Sequence, residues 1–373
     1  MKNKIHKYDF LIIGAGLIGA IAALALIKKK YKVLVIDKKI ELPNDNRTLA
    51  VNANSIDFLK HLGIWNRLKS QPQPIDKIII EDNINIEPLI FENDEESMGN
   101  VILNKEMSKV VRQKLVNSKI LKIETNMDMS KYLPDKRIII DHKYYIFKKV
   151  IISIGKNIVS NLNHKTISFD QKHHSYVGFF KHTEDHNNTA YEFFTHEGPL
   201  AILPAPSSNK KKSTFIFSSK EDIKRYQIQK LINKKIIKSH GKLIFDKSIS
   251  KFPIIPHLVK YNDNFIYIGD SLKSIHPVAG QGWNLGIKDI QTLCKLLDRY
   301  SLEEKNINSF YYSRRIIESS IFLSFTSLLN FFYEGKNQLN KKIVKVGFTS
   351  LRKVKFLRDV FIKQAMGRIN LTD

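Results

Sequence analysis

An apolar run from Phe10 to Ile13 ends in Gly14-Ala15-Gly16-Leu17-Ile18-Gly19, a GxGxxG. At the end of a strand the first glycine permits a tight turn, the second lets a pyrophosphate approach the backbone, and the third lets helix and strand pack closely. The pyrophosphate then rests on the positive end of the following helix. Asp37, eighteen residues after Gly19, closes the next strand, where a carboxylate accepts both hydroxyls of an adenosine ribose. These residues predict a dinucleotide site, in preference to a glycine-rich packing turn with Asp37 merely starting a loop.

A second constellation lies far downstream, Gly269-Asp270-Ser271 through His276-Pro277-Val278-Ala279-Gly280-Gln281-Gly282-Trp283-Asn284-Leu285-Gly286. At a strand end, Asp270 is placed to accept from a polyol. Gly280 and Gly282 let backbone pass against a flat ring, and the free amides that open the next helix suit a negative charge. Reduced flavin carries that charge at its N1–C2 carbonyl edge, and the helix end would stabilise it as it would an oxyanion. His276 precedes Pro277 in a turn and reads as structural rather than as a base.

The elements that must position these motifs follow from periodicity. Strand Tyr8 to Ile13, helix Gly16 to Lys29 and strand Lys32 to Ile36 make a βαβ opening. A helix from Asn52 to Leu62 stops at Gly63, three short strands fall between Lys77 and Leu103, and a helix runs from about Asn104 to Val116 before strands that reach Ile154. From His173 to Ser218 the texture becomes strand-like runs with polar turns, which predicts a separate antiparallel sheet. Phe265 to Ile268 is a buried strand leading into Gly269-Asp270. Beyond it Trp283, Ile287, Ile290, Cys294 and Leu297 recur at the spacing of one buried helix face. Glu303 to Arg368 reads as mostly helical.

Composition narrows the class. The chain has 373 residues, 43% of them hydrophobic, enough for a globular protein of about two domains. Its single cysteine, Cys294, supplies neither an internal disulfide nor a multi-thiolate metal site, which fits a reducing compartment. His173-His174 and Asp185-His186 lack a third spaced ligand, so no metal is expected. Lys and Arg number 61 against 36 Asp and Glu, a net +25, but the charge is scattered without an Arg-rich cluster. A solvated basic surface or an anionic membrane surface explains it better than nucleic acid. Phe10 to Ile27 is long enough to suggest a membrane span, yet its glycines mark a buried strand turning into a buried helix. The same reading excludes a signal peptide, and no transmembrane helix is expected.

The N-terminal GxGxxG together with GDSLKSIHPVAGQGWNLGIKD, Gly269 to Asp289, resembles the FAD-dependent aromatic hydroxylases. Arg47-Thr48-Leu49-Ala50-Val51 through Leu62-Gly63-Ile64-Trp65, Gly198-Pro199-Leu200-Ala201-Ile202-Leu203-Pro204, and Leu351-Arg352 to Ala365-Met366-Gly367 narrow the likeness to the ubiquinone-biosynthesis hydroxylases, nearly end to end. The resemblance implies an α/β fold with a Rossmann-like, glutathione-reductase-like FAD-binding domain of the para-hydroxybenzoate-hydroxylase type, an antiparallel-sheet substrate domain and a helical C-terminus. The expected boundaries are 1–75, 100–165 and 260–300 for the FAD domain, 76–99 and 166–259 for the substrate domain, and 301–373 for the C-terminal region. It further implies that Gly14, Gly16, Gly19 and Asp37 hold the ADP half of FAD, that Arg47 lies along the pyrophosphate, and that Asn104 and Asp270 lie along the ribityl chain. Pro277, Gly280, Gln281, Gly282 and Asn284 would border the isoalloxazine. Arg47 as a surface charge and Asn104 as a helix N-cap are the plainer readings.

The implied reaction is reduction of the flavin by NADH or NADPH, addition of O2 at C4a, and transfer of oxygen from the hydroperoxide to a polyprenylated phenol in ubiquinone biosynthesis. Such an enzyme would be cytoplasmic, docked peripherally on the cytoplasmic face of the inner membrane, and in contact with other proteins of that pathway. Lys341 to Lys363, basic with Val344, Phe348, Leu351, Val354, Leu357 and Phe361 at helical spacing, is the candidate docking segment. In one respect the chain departs from the group. Where those enzymes have Asp-Gly after the strand ending near Ser153, this chain has Ser153-Ile154-Gly155-Lys156, so the glycine survives and the acid does not. An FAD-dependent prenyl reductase and a catalytically weak flavoprotein subunit of the ubiquinone-synthesis assembly are the alternative readings.

Overall fold

The computed structural model describes residues 5–38, 47–82, 87–93, 95–123, 131–140, 142–160, 165–168, 173–274, 281–334, 345, 347 and 349–369, with only the backbone for 157, 159, 160, 168, 281 and 321–334. A parallel sheet forms around the strand Ile5–Ile13, whose last four residues are fully buried as the apolar run requires. On one side lie Val33–Asp37 and then Leu121–Ile123; on the other lie Lys143–Ile152 and then Phe265–Tyr267. All four pairings are parallel, and Ile138–Ile140 adds an antiparallel strand beside Lys143–Ile152. The chain therefore reverses its direction of growth between Ile5–Ile13 and Lys143–Ile152. A crevice outside the carboxyl ends of two such strands is where ligands bind in open α/β sheets.

Helices α1 (Leu17–Lys28), α2 (Ala53–His61), α3 (Asn104–Asn117) and α5 (Gln281–Arg299) share one apolar cluster on one face of this sheet. Ile287, Ile290, Cys294 and Leu297 of α5 are buried there as their spacing predicts, with Trp283 packed at the margin. The second sheet has eight strands. It is antiparallel except where Thr189–Thr195 runs parallel to Lys77–Asp82. That pair joins the two separated stretches of sequence that make this sheet. Helix α4 (Arg225–His240), not anticipated from the strand-like texture upstream, covers it through Ile228, Ile232 and Ile236. Helices α6 (Ile307–Glu334) and α7 (Lys355–Ala365) follow α5, and among the described residues no helix is long and apolar enough to cross a membrane.

Three histidines are buried at the edge of the second sheet. The rings of His182 and His240 meet edge-on at 4.6 Å, and His186 lies 5.9 Å from His182. Burial depresses all three: His186 is lowered to about 4 and His240 to about 3. Such rings are neutral in the fold, while in the unfolded chain they take up protons near the ordinary histidine value of 6.5. Stability is thus complete above that value and is lost as pH falls from it toward 4, by up to about 1.4 kcal/mol per ring per pH unit. Urea-unfolding midpoints should fall from pH 7.5 to pH 5, and His240→Phe should flatten the dependence; a wild-type midpoint unchanged across that range would contradict this account.

Candidate flavin site

The glycine turn is built as its chemistry demands. Gly14 has a φ of +101°, and a Cβ there would lie 2.3 Å from the Ser153 carbonyl oxygen; one on Gly19 would lie 2.1 Å from the Gly14 carbonyl oxygen. Both positions are closed by backbone. A Cβ on Gly16 would meet nothing within 4 Å, so this glycine faces the open space that a close pyrophosphate requires. No side chain caps α1, whose N-cap is Gly16, and its first turn carries no acid. The helix end therefore keeps its positive field for an anion. The Ala15 N–H donates to Asp37 Oδ2 at 2.6 Å, which ties the end of the second strand to the turn.

Sequence reasoning missed Arg112. It is buried on α3, and its Nη1 donates to the Ala15 carbonyl at 3.3 Å; burial lowers its pKa and the nearby Asp37 opposes that shift. A guanidinium thus stands beside the phosphate-facing turn. The available signal was an arginine next to Val111 among the apolar positions Met107, Val111 and Leu115 of one helix face.

Arg47 and Asn104 come together because Thr48–Asn52 pairs antiparallel with Gly99–Leu103. The Asn104 N–H donates to the Arg47 carbonyl at 2.8 Å, and the Arg47 guanidinium lies over the Phe252 ring at 4.7 Å. Arg47 is exposed, as the plainer reading has it, and also lines a cavity of about 240 Å³ with Lys105, Phe179, Lys212 and Asp246. Asn104 opens α3 one residue past the cap position, which Leu103 occupies, and is buried.

The second motif locks onto the first. Gly269 has a φ of +60°, and a Cβ there would press on Ile18 Cγ2 at 3.1 Å; one on Gly286 would press on Ile18 Cδ1 at 2.8 Å. The isoleucine of GAGLIG is held between glycines some 250 residues away in sequence. The Gly269 N–H donates to Asp289 Oδ2 at 2.8 Å. Asp289 Oδ1 accepts from Lys273 Nζ at 2.6 Å and from Arg315 Nε at 2.7 Å. Arg315 also pairs with Glu318, which receives Lys288 at 2.6 Å. Asp289 and Arg315 are wholly buried, and burial lowers Lys273 to about 8 against the pull of Asp289. Arg315 and Glu318 were also missed. Ile307, Tyr311, Arg315 and Glu318 fall at steps of four, four and three, so the charges continue an apolar stripe.

Asn284 is buried and spends its amide on backbone: Oδ1 accepts from the Asn52 N–H at 3.1 Å, and Nδ2 donates to the Ala50 carbonyl at 2.9 Å. It clamps α5 to the Thr48–Asn52 strand. Asp270 sits in a short 3-10 turn, Gly269–Ser271, with its carbonyl bonded to His257 Nε2 at 2.9 Å. Gly282 lies in the first turn of α5, which carries no acidic residue, and Gln281 opens that helix. His276, Pro277, Ala279 and Gly280 lie outside the described residues. At the departure from the resemblance, Gly155 keeps a left-handed φ of +66°, while Ile154 packs against the apolar cluster of the parallel sheet. Lys156, next along, is lowered by burial, with Asp270 and Arg47 within electrostatic reach. A cation thus stands near the turn where the resemblance implies an acid.

With this geometry in place, the comparisons are decisive for class. Residues 7–137 match the FAD-binding domain family and residues 216–362 match the squalene epoxidase family. The chain is a flavin-dependent monooxygenase. It is 23% identical to the ubiquinone hydroxylase UbiL of Rhodospirillum rubrum over 97% of this chain and 90% of that protein. It is also 23% identical to the ubiquinone biosynthesis monooxygenase COQ6 of Caenorhabditis elegans, over 84% of each. Among solved structures, the p-nitrophenol 4-monooxygenase PnpA of Pseudomonas putida superposes with a TM-score of 0.71 at 12% identity, over 97% of this chain and 98% of that one. PqsL of Pseudomonas aeruginosa gives 0.68 at 15%, over 91% and 100%. The para-hydroxybenzoate-hydroxylase type of fold is thereby established for this monooxygenase, and FAD is its cofactor.

The open face of Gly16 separates binding from folding. Gly16→Val should leave the unfolding temperature within a few degrees of wild type and weaken FAD binding at least tenfold by fluorescence titration, about 1.4 kcal/mol or more; Gly14→Ala should lower the unfolding temperature itself. Asp289→Asn strands buried Lys273 and Arg315, and should cost about 3–5 kcal/mol in chemical denaturation of the apoprotein as well as FAD retention.

Proposed function

We propose that this monooxygenase hydroxylates the aromatic ring of a polyprenylated phenol in ubiquinone biosynthesis, using O2 and NADH or NADPH. The observation that carries the flavin reading is the interlock of Ile18 with Gly269 and Gly286, which joins the two halves of one dinucleotide cradle while leaving Gly16 open. The substrate class rests on the relatives, among them two ubiquinone hydroxylases and a ubiquinone biosynthesis monooxygenase by name. Bound FAD, once reduced, supplies the activation of dioxygen.

The remaining tasks fall to the chain. Gly14, Gly16, Gly19 and Asp37 hold the ADP half, with Arg112 behind the turn. Arg47 lies along the pyrophosphate, and Asn104 and Asp270 along the ribityl chain. Pro277, Gly280, Gln281 and Gly282 border the isoalloxazine, whose negative charge in the reduced form is stabilised by the first turn of α5. Asn284 borders the isoalloxazine with them, its amide holding the Asn52 N–H and the Ala50 carbonyl. The FAD-binding part comprises 1–75, 100–165 and 260–300, the substrate-binding part 76–99 and 166–259, and the helical remainder 301–373. The buried strand Gly198–Pro204 lies within the second of these and helps to exclude water from the reacting ring. A lipid-borne phenol calls for access from a bilayer, which places the enzyme peripherally on the cytoplasmic face of the inner membrane and in reach of other proteins of the pathway.

A prenyl reductase is disfavoured, since the relatives compared above are monooxygenases and hydroxylases by name. The expected outcome with the purified yellow protein, NADH or NADPH and isotope-labelled dioxygen is one labelled oxygen in the phenolic product. A product that gains hydrogen without label would establish the reductase, and failure of either nicotinamide to bleach the flavin in the presence of the phenol would leave only the weak flavoprotein subunit.

A further inference from the structure

Helix α7 has two faces of different character. On one, Phe361 stacks on Phe91 of the second sheet with ring centroids 4.4 Å apart, and Ile362 and Met366 join the same cluster. The end of the helix is fastened separately: the Met366 carbonyl accepts from the Asn54 N–H at 3.1 Å, and Arg368 pairs with Asp57 and Glu96. The helix is therefore fixed to the body of the protein, and its outer face is held in one orientation.

That outer face is apolar. Phe356 is 72% exposed, Val354 43%, Leu357 39% and Val360 37%. The spacing read from sequence placed Leu351, Val354, Leu357 and Phe361 on one stripe, and the structure divides them. Val354 adopts an extended conformation, φ −101° and ψ 101°, as the N-cap of α7. The break resets the helical phase, so Leu351 and Phe361 turn inward while Val354 and Leu357 turn outward. Val344 and Phe348, the other two members of that stripe, lie outside the described residues.

Charge decides between occupants of this face. Lys353, Lys355 and Lys363 are exposed around it. From Lys341 to Lys363 the sequence carries eight Lys and Arg against a single acid, Asp359. A second copy of this chain would bring an equal excess of positive charge against the first. An anionic bilayer surface is complementary, because aromatic and aliphatic side chains enter the headgroup boundary while lysine stems extend to the phosphates.

We infer that the outer face of α7, centred on Phe356 and Val360 and flanked by Lys353, Lys355 and Lys363, seats the enzyme on an anionic lipid surface. The inference rests on the lipid-borne substrate proposed above for its purpose, but its evidence is the exposed face itself. Cosedimentation of the FAD-loaded protein with vesicles of phosphatidylcholine and phosphatidylglycerol tests it against vesicles of phosphatidylcholine alone. Binding should require the anionic lipid and fall with salt. Phe356→Ser should weaken it about tenfold, and Lys355→Gln about fivefold, with unfolding temperature and flavin absorbance unchanged in both. Equal binding by wild type and Phe356→Ser, or no dependence on phosphatidylglycerol, would overturn the inference. So would a sedimentation-velocity result in which Phe356→Ser turns a dimer into a monomer with vesicle binding intact, since the face would then belong to a second copy. Hydroxylation of a short-tailed, water-soluble phenol is the separate readout: its absence alongside intact vesicle binding would refute the substrate reading and leave the docking face standing.

Discussion

Everything at the site depends on a contact that carries no charge. Ile18 fills the space left by two missing side chains, at Gly269 and Gly286, and thereby brings the N-terminal phosphate turn against the strand end and helix of the second motif. Both glycines are required for the close approach, and one of them also for its left-handed backbone. Around this contact the polar network is arranged to hold backbone: Asp289 takes the Gly269 N–H, and Asn284 takes the Asn52 N–H and gives to the Ala50 carbonyl. The side chains of the second motif thus serve mainly to place main-chain amides and carbonyls.

A buried network of this kind is costly in isolation. Asp289 is wholly buried, and its cost is offset because the backbone amide, the ammonium and the guanidinium converge on its two oxygens. Glu318 balances the second cation and draws in Lys288. Removal of Asp289 or Arg315 leaves buried partners short of a counter-charge, so the groups are coupled. Ile154, where the resemblance implies an acid, is a different kind of departure. An isoleucine there joins the apolar cluster, Gly155 retains the turn, and the nearby charge is now the cation of Lys156.

Much of this was legible in the sequence because glycine spacing and strand hydrophobicity are local signals. The βαβ opening, the strand before Gly269 and the buried face of α5 appear where their periodicity places them, to within two residues at each end except that the first strand begins at Ile5, three residues before Tyr8. Asp37, Arg47, Asn104 and Asp270, the residues proposed for the site, are positioned by strand pairing that sequence order does not reveal, such as Thr48–Asn52 against Gly99–Leu103. Arg112, Arg315 and Glu318 escaped notice because a charge in an apolar stripe reads as an interruption until its partner is known. Helix α4 announced itself through isoleucines four apart, but the strands upstream dominated the texture. The C-terminal stripe misled for one reason, the extended residue Val354.

The position of Arg315 has a consequence for how the protein comes into being. The amino-terminal turn emerges first from the ribosome, yet its partner strand, the acid that fixes that strand, and the guanidinium that steadies the acid are all encoded in the last third of the chain. No nascent chain that stops short of α6 can present the finished cradle. Acquisition of the yellow prosthetic group therefore waits until the chain has been made at least as far as Arg315.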